Sequence, residues 1–452
     1  MRLTLVFFFC YNTLFGQTSV LKQYISDALD NNLALKQKYS MYEKSLYEKK
    51  EAQGLYYPYI KFNARYTIAE GGRTIDFPAG DLLNPVYQTL NEITESNIFP
   101  QISNQQFFFY RPTEQETKVQ LMQPIFNPQI YFNTRIHTAL SQVKKADLDT
   151  YKRFLISEIQ TAYYDYLKTV EILELYDQTR HLLEENIRVN EKLFENDKVT
   201  IDIVYRSKSE LSNHDQRVAE AQKFHRTTAA YFNFLLNREF DTEILVDTTI
   251  QKDISVPGPE ELISMAISGR EELIALKNYQ LVTDYQEKMN KFNKLPRLFG
   301  AVDYGIQGID YSISPEDDFF LASLVLQWDL FSGMQNNARI QQSRIDRDMV
   351  TYQWSESEKQ IALEVIEKYF DLQASFERIK ANRDELIALR KAFQIIQKKY
   401  SEGQANLLEF IDARTSMTNS EQNLILTRYD HIIKYTALER VACLYPLEST
   451  IE

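Results

Sequence analysis

The chain has 452 residues, a net charge of −12 and 44% hydrophobic residues. These values fit an ordered protein long enough for two or three domains and exclude a disordered chain. The negative charge argues against a nucleic-acid partner, because phosphate contacts need clustered Lys and Arg. With only 12 Gly and 12 Pro, long regular elements are expected.

The first residues are typical of a secretory signal peptide: a basic residue and then an apolar run to about Tyr11. We expect residues 1–16 to be removed, since this run is too short to span a membrane as a helix. Cys10 would leave with it, so Cys443 alone cannot form an intrachain disulfide. No other stretch approaches eighteen consecutive apolar residues, so a membrane role would have to come from strands.

A first repeat is predicted over residues 17–240. It opens with a helix from Ser19 to about Leu55 and a strand from Pro58 to Ile68, in which apolar and polar residues alternate. Residues 69–114 then read as a long loop without regular structure, of the kind that is usually a functional surface loop. A second strand is expected at about Thr117–Gln123.

A long helix is predicted from about Asn127 to Phe194. Its apolar residues alternate at steps of four and three, which is the seam of a coiled coil, with polar interruptions such as Asn190. At 1.5 Å per residue the helix would be roughly 100 Å long, so its partners should be equally long helical stacks. A turn at residues 196–198 precedes a return helix from Ile201 to Leu236.

The same order recurs after a linker at residues 241–258, which contains a β-like run from Ile244 to Val246. The second repeat covers residues 259–443 and is followed by a tail at 444–452. Its expected elements are a helix at Pro259–Phe292, a strand from Leu295 to about Ile306, a strand at Phe319–Trp328, a second long helix that ends near Tyr400, and a return helix at Asn406–Val441.

Short motifs support the duplication. The Gln-Pro-Ile-Phe junction at residues 123–126 is echoed by Trp-Asp-Leu-Phe at 328–331. Likewise Tyr-Tyr-Asp at 163–165 is echoed by Tyr-Phe-Asp at 369–371. Both junctions mark the change from strand to long helix.

Four strands per chain cannot close a barrel, because the smallest membrane barrels have eight strands and open edges cannot face lipid. The chain must therefore oligomerise if the strands are transmembrane. Two copies would give about eight strands and an interior filled by side chains, whereas three would give about twelve strands and a lumen. Three copies are favoured, since a barrel joined to long helices should conduct.

In order and spacing, these features resemble the TolC family of outer-membrane efflux proteins over nearly all of the chain after the signal. The Ala-Tyr-Tyr-Asp segment at 162–165 and the tip Tyr-Ser-Glu-Gly at 400–403 add to the resemblance. It implies a mixed α and membrane β fold: a homotrimer with a twelve-stranded β-barrel continuous with a long α-helical coiled-coil barrel. It also implies the outer membrane of a Gram-negative bacterium, surrounding outer-membrane lipid, and helices that extend into the periplasm.

The resemblance further implies a passive exit channel that carries small molecules, served by a periplasmic adaptor protein and an inner-membrane pump, and without a cofactor. Two alternatives remain. One is the exit duct of a type I protein secretion system. The other is a periplasmic coiled-coil scaffold whose strands pack on a soluble core.

By the same resemblance, a periplasmic gate is expected at Glu409 and Asp412, which lie three residues apart on one helical face. Three copies would form two acidic rings, and crowded carboxylates tend to bind cations or to hold protons. Two other interpretations compete with the gate. These residues could lie on a solvated helix face, or Glu409 could belong to a helix start capped by Asn406.

The hairpin tips, at about residues 195–200 and 401–406, are the implied adaptor contacts; the residues singled out there are Asp197, Asp202, Tyr400 and Gly403. The first tip departs from the family, since Ile203 stands where an acidic residue is often found. Ala405 replaces a basic residue that is sometimes found in the second tip. Because Asp197 stands where the other repeat has Gly403, the two tips are expected to turn differently.

On the strands, Lys61, Arg65 and Asp303 are expected to line the barrel lumen. Four aromatic residues could form interfacial belts or simply follow the strand preference for aromatics: Trp328, Tyr304, Tyr66 and Tyr57.

An enzyme is not expected. The five histidines show no metal-binding spacing, and His181 near Glu184 is best interpreted as a solvated helix face. No nucleophile elbow, P-loop or dinucleotide fingerprint occurs, so neither a catalytic residue nor a metal site is proposed.

Overall fold

The computed structural model describes residues 19–247, 255–309, 311 and 315–447. The predicted signal peptide lies outside these residues, as do parts of the predicted linker and tail. The elements in chain order are α1 (Ser19–Asn31), α2 (Leu33–Gly54), β1 (Tyr59–Ile68), β2 (Thr74–Phe77), α3 (Ala79–Ile93), β3 (Gln105–Phe108), β4 (Thr113–Phe126), α4 (Pro128–Glu195), α5 (Ile201–Leu235), α6 (Pro259–Gly269), α7 (Glu271–Phe292), β5 (Arg297–Gly308), β6 (Asp318–Gln327), α8 (Gln335–Ser401) and α9 (Leu407–Val441).

The described chain forms two compact units. A sheet unit comprises Tyr47–His137 and Thr283–Ile345, and a helical unit comprises the remaining described residues. Both predicted long helices are present, since α4 has 68 residues and α8 has 67. None of the described helices is both long enough and apolar enough to cross a membrane.

The sheet unit contains an antiparallel sheet in the order β1-β4-β5-β6. Its central pair, β4 with β5, joins the two repeats, and β1 and β6 are its edges. The second predicted strand is longer than expected, running from Thr113 to Phe126. The register shifts between Pro124 and Phe126, where proline offers no ladder donor and a bulge bends the strand before α4 begins.

The prediction that residues 69–114 lack regular structure was wrong. This segment holds the hairpin β2–β3 and the helix α3. Two amides on α3 order the chain that follows the helix. The Asn84 amide bonds both the N–H and the C=O of Ile102, and the Asn91 amide does the same with Phe99. Such side chain-to-backbone bonds leave no periodic signal in the sequence.

The two short helices predicted as continuous are each broken once, at Asn32 and at Arg270. These residues occupy equivalent positions in the two repeats, and both are buried. The Asn32 amide donates to Leu235 O at 2.8 Å, and the Arg270 guanidinium donates to Val441 O at 3.3 Å. Each break thus fixes a short helix to the end of its return helix.

The β-like run at Ile244–Val246 forms no strand. Tyrosine hydroxyls satisfy its backbone instead. Leu245 N donates to the Tyr24 hydroxyl at 2.8 Å, and the Tyr163 hydroxyl donates to Leu245 O at 3.1 Å. With these groups already paired, the segment needs no neighbouring strand.

The helical unit buries the predicted seams. On α4, Leu155 and Ile159 are fully buried, and on α8 Val365 is fully buried. They belong to two apolar clusters. The first joins residues of the first repeat to Ile425 and Tyr429, and the second lies within the second repeat. A third cluster near the helix tips includes Phe393 and Phe410. Phe194, by contrast, is 40% exposed, so the α4 seam does not stay buried to its predicted end.

Candidate functional site at the helix tips and on the sheet

The two hairpin tips, α4–α5 and α8–α9, have the same backbone turn. Asp197 and Gly403 both have positive φ, at 55° and 73°. Lys198 N donates to Leu193 O at 2.9 Å in the first tip, and the equivalent bond in the second tip, from residue 404 to residue 399, is 2.8 Å. This is the Schellman arrangement, in which a left-handed residue ends the helix. The prediction that the tips turn differently was therefore wrong, because aspartate tolerates the left-handed region.

The predicted gate residue Glu409 lies in the first turn of α9. Asn406 caps this helix by accepting from Glu409 N at 3.0 Å, and its amide donates to the Glu409 carboxylate at 3.2 Å. The first bond is an N-cap hydrogen bond, and the second joins the two side chains beside it. In the single chain Glu409 thus has the helix-start role that competed with the gate, although its side chain remains exposed.

Asp412 is exposed and lines a cleft of about 560 Å³ between α9 and the first hairpin. In the same cleft, Arg414 is 5% exposed and pairs with Glu210 at 3.0 Å. Burial lowers the pKa of the Arg414 guanidinium. His214 also lines the cleft; its Nε2 lies 2.8 Å from Tyr176 O, and burial lowers its pKa. Asp412 therefore faces a mixed-charge surface.

The first tip carries different chemistry. Ile203, at the position equivalent to Glu409, packs against the apolar cluster near the tips. Asp202 stays exposed, accepts a hydrogen bond from the Thr200 hydroxyl and lies 4.0 Å from Arg206. The acidic pair of the second tip, Glu409 and Asp412, thus has Ile203 and Arg206 as its counterparts, and Asp202 lies one residue before Ile203.

Tyr400 joins the two hairpins. Its hydroxyl donates to Asn190 Oδ1 at 2.5 Å, and its ring stacks on Phe410 with centroids 4.9 Å apart. Asn190 is fully buried and also donates to Ser207 Oγ at 2.7 Å. Burial raises the pKa of the Tyr400 hydroxyl. The sequence marked Asn190 only as a polar interruption of the seam; such an interruption was the available signal of a buried partner.

On the sheet, two of the three predicted lumen residues belong to one ionic strip. Arg65 contacts Glu116 at 3.3 Å, and Lys118 contacts both Glu116 at 2.8 Å and Asp303 at 3.1 Å. The strand register places these side chains on the same face. Lys61 shares that face, and its Nζ lies 5.1 Å from the Tyr59 ring centroid. Sequence reasoning missed Glu116 and Lys118, although their spacing of two residues matches the strand period.

Two of the four predicted belt aromatics, Trp328 and Tyr66, have local partners. Trp328 follows β6 directly, and its indole N–H donates to Lys294 O at 2.9 Å. Tyr66 stacks on Tyr311 at 5.9 Å. Tyr57 and Tyr304 are exposed, at 72% and 59%. These contacts fit either interpretation, so the belts stay a prediction. Among the described residues, no three His, Cys, Asp or Glu side chains cluster as metal ligands would.

The chain was compared with known proteins. Residues 262–442 match the model of the outer membrane efflux protein family, and a search of curated proteins found no match. Several solved structures are similar. The outer-membrane channel OprN is 16% identical with a TM-score of 0.76, covering 94% of this chain and 90% of that one.

CusC is 12% identical with a TM-score of 0.77, covering 95% of each chain. The Campylobacter jejuni CmeC outer membrane channel is 11% identical with a TM-score of 0.77, covering 94% of this chain and 85% of that one. At these identities the structures establish the fold. Residues 262–442 are therefore similar to the outer membrane efflux protein family, and the chain has the fold of the solved outer-membrane channels.

Proposed function

We propose that three copies of this chain form a passive export channel in the outer membrane of a Gram-negative bacterium. One observation carries the proposal: a four-stranded sheet with two open edges exposes large apolar side chains on one face of both edge strands. Phe62 is 70% exposed on β1, and Phe320 and Leu324 are each 69% exposed on β6. A sheet on a soluble core would bury that face, whereas lipid covers it at little cost.

The opposite face supports a water-filled lumen. It carries the ionic strip of Arg65, Glu116, Lys118 and Asp303. Charged groups on a lipid face would be costly, whereas lumen-facing charges remain hydrated. The edges β1 and β6 have the backbone groups that a neighbouring copy would pair, and three sheets of four strands close a barrel of about twelve.

The family match supports the proposed partners. The helical unit, with its tips at Asp197 and Gly403, would meet a periplasmic adaptor protein, and an inner-membrane pump would supply the cargo. The proposed cargo is small molecules, in line with the efflux family match. A type I secretion machine would use the same architecture; the genes beside this one would distinguish the two systems.

The mass of the detergent-solubilised protein and its conductance test the channel. We expect a particle of about three chains that requires detergent and conducts ions across a planar bilayer. A protein that stays soluble without detergent and shows no conductance would instead be the coiled-coil scaffold. Any mass other than about three chains would overturn the barrel.

Within the channel, we place the gate at Glu409 and Asp412, since three copies of two exposed carboxylates would form acidic rings. Neutralising both, with Glu409→Gln and Asp412→Asn, should raise single-channel conductance and weaken block by divalent cations. Asp202→Asn, in the first tip, is the matched control and should change neither. Unchanged conductance and cation block in the double variant would exclude the gate at these residues.

A further inference from the structure

The insert, residues 69–112, extends the β1–β4 hairpin beyond the sheet. Ala69 N donates to Pro112 O at 2.9 Å, and Phe109 N donates to Arg73 O at 2.9 Å, so the ladder continues into β2 and β3. The other end of this hairpin leads into α4. The insert therefore sits at the end of the sheet away from the start of α4.

One side of α3 is already occupied. The strap, residues 99–104, is held by the Asn84 and Asn91 amides and by Asn104, which donates to Asp81 at 2.9 Å. Helix and strap approach closely at Gly80, where an added Cβ would lie 2.5 Å from Ile102 O. The insert is thus a built structure with a fixed orientation of α3.

A second side of α3 is apolar and bare. The stripe consists of Leu82, Val86 and Ile93, which are 62%, 51% and 74% exposed. Their spacing of four and seven residues is the seam that one helix presents to another. Exposed apolar side chains in such a row mark an interaction surface.

The charges of the insert indicate what kind of surface can cover the stripe. No Lys or Arg lies between Arg73 and Arg111, while α3 and the turn after it carry Asp81, Glu92 and Glu95. An anionic lipid surface attracts basic helices and repels acidic ones. The stripe therefore fits another apolar helix better than a membrane surface.

The position of the insert indicates which helix packs on the stripe. It follows β1, an edge strand of the sheet, and that edge is where the next copy must pair in a closed barrel. We infer that the α3 stripes of the three copies pack on one another and close a lid over the outer mouth of the channel. This inference rests on the trimer proposed above.

Thiol cross-linking in the detergent-solubilised full chain tests the lid. Val86→Cys lies on the stripe and Gln88→Cys on the far side of the same helix, and both positions are exposed. With a short bis-maleimide, Val86→Cys should give covalent dimers and trimers at a yield about tenfold above Gln88→Cys. The unchanged chain, which keeps Cys443, sets the background.

A second variant checks that the fixed orientation matters. In the Val86→Cys background, Gly80→Ala places a Cβ against the strap and should reduce cross-linking while conductance persists. The outcomes separate the two proposals. A particle of three chains whose Val86→Cys cross-links no better than Gln88→Cys would overturn the lid and leave the channel standing, whereas a particle of one chain would overturn the channel itself.

Lipid is the remaining occupant to exclude. An environment-sensitive fluorophore on Val86→Cys should be unaffected by added vesicles of anionic phospholipid. A blue shift that appears only with the vesicles would mean that the stripe binds a membrane surface, and the lid would be wrong.

Discussion

The two repeats share a hydrogen-bonding skeleton and differ in the chemistry placed on it. Thr169 and Ser375, at equivalent positions on the long helices, contact Nδ1 of His225 and His431 at 2.9 and 2.7 Å. In both pairs the hydroxyl donates to a carbonyl of its own helix at 2.7 Å. Where the hydroxyl donates to that carbonyl, its oxygen accepts from the imidazole, which then carries a proton on Nδ1.

The repeats diverge where the return helices end. Asn233 is fully buried, and its amide donates to Phe240 O and Thr242 O at 3.0 and 2.9 Å. At the equivalent position the second repeat has Glu439, which is 5% exposed and hydrogen-bonded to Tyr435. One repeat thus closes this end with a neutral amide and the other with an ionisable group. The two repeats thus share the helix end and differ in the side chain that it buries.

Replacing Glu439 should give the largest change in stability among the substitutions that test this difference between the repeats. Burial raises the pKa of Glu439 to about 7 from 4.5. Because the folded pKa is raised, the neutral form stabilises the fold fully below pH 4.5, and this contribution is lost as pH rises to about 7. Glu439→Gln copies the neutral form, so it should not lose the up to about 3 kcal/mol of folding stability that the unchanged chain loses as pH rises.

Urea unfolding midpoints at pH 5 and pH 8 measure this effect. The midpoint of Glu439→Gln should change less between the two pH values than that of the unchanged chain, and Glu402→Gln, on the exposed tip, is the control. Equal pH dependence in all three proteins would contradict the burial argument.

The helix breaks give the second contrast. Arg270→Ala removes the bond to Val441 O and the ion pairs with Glu364 and Glu272, each at 3.0 Å, and should cost about 3 kcal/mol because a buried, ion-paired guanidinium is lost and Val441 O loses a donor. Asn32→Ala removes one amide bond and one helix cap and should cost about 1–2 kcal/mol. Thermal unfolding followed by circular dichroism measures the loss of stability in each variant. A larger loss of stability for Asn32→Ala than for Arg270→Ala would contradict this ranking of the two helix breaks.

Substitutions in the two tips should give the smallest changes in stability, and the two changes should have opposite signs. Asp197→Gly relieves a left-handed backbone and should stabilise by up to about 1 kcal/mol. Gly403→Ala introduces the same backbone strain and should destabilise the fold by about 1 kcal/mol. No steric clash adds to this cost, because a Cβ at residue 403 would meet nothing within 4 Å. The same unfolding assay applies, and a destabilising Asp197→Gly would mean that the aspartate side chain itself supports the turn.

The long elements were predictable because their signals are periodic. Both long helices, the return helices and all four strands of the main sheet were confirmed, within a few residues for most of them. The breaks at Asn32 and Arg270 were not, because neither Gly nor Pro marks them and their causes lie on Leu235 and Val441, far along the chain. Tertiary partners override local propensity there.

The functional residues divide in the same way. The carboxylates at Glu409 and Asp412 were visible as exposed acidic spacing on a helix. The buried partner of Tyr400, Asn190, and the Lys118 link between Glu116 and Asp303 depend on pairing between separate elements. The packing of the strap on α3 was not predicted, because the strap is held by bonds from side-chain amides to the backbone and these leave no hydrophobic pattern in the sequence.

The matched turns at Asp197 and Gly403 have a consequence for symmetry. In the proposed trimer, two equivalent tips per chain would give six turns, so the proposed periplasmic rim would be quasi-sixfold in backbone and threefold in side chains. An adaptor that reads only backbone could seat six subunits on that rim. One that reads the Ile203 and Glu409 positions would find two classes of site in alternation, apolar and acidic.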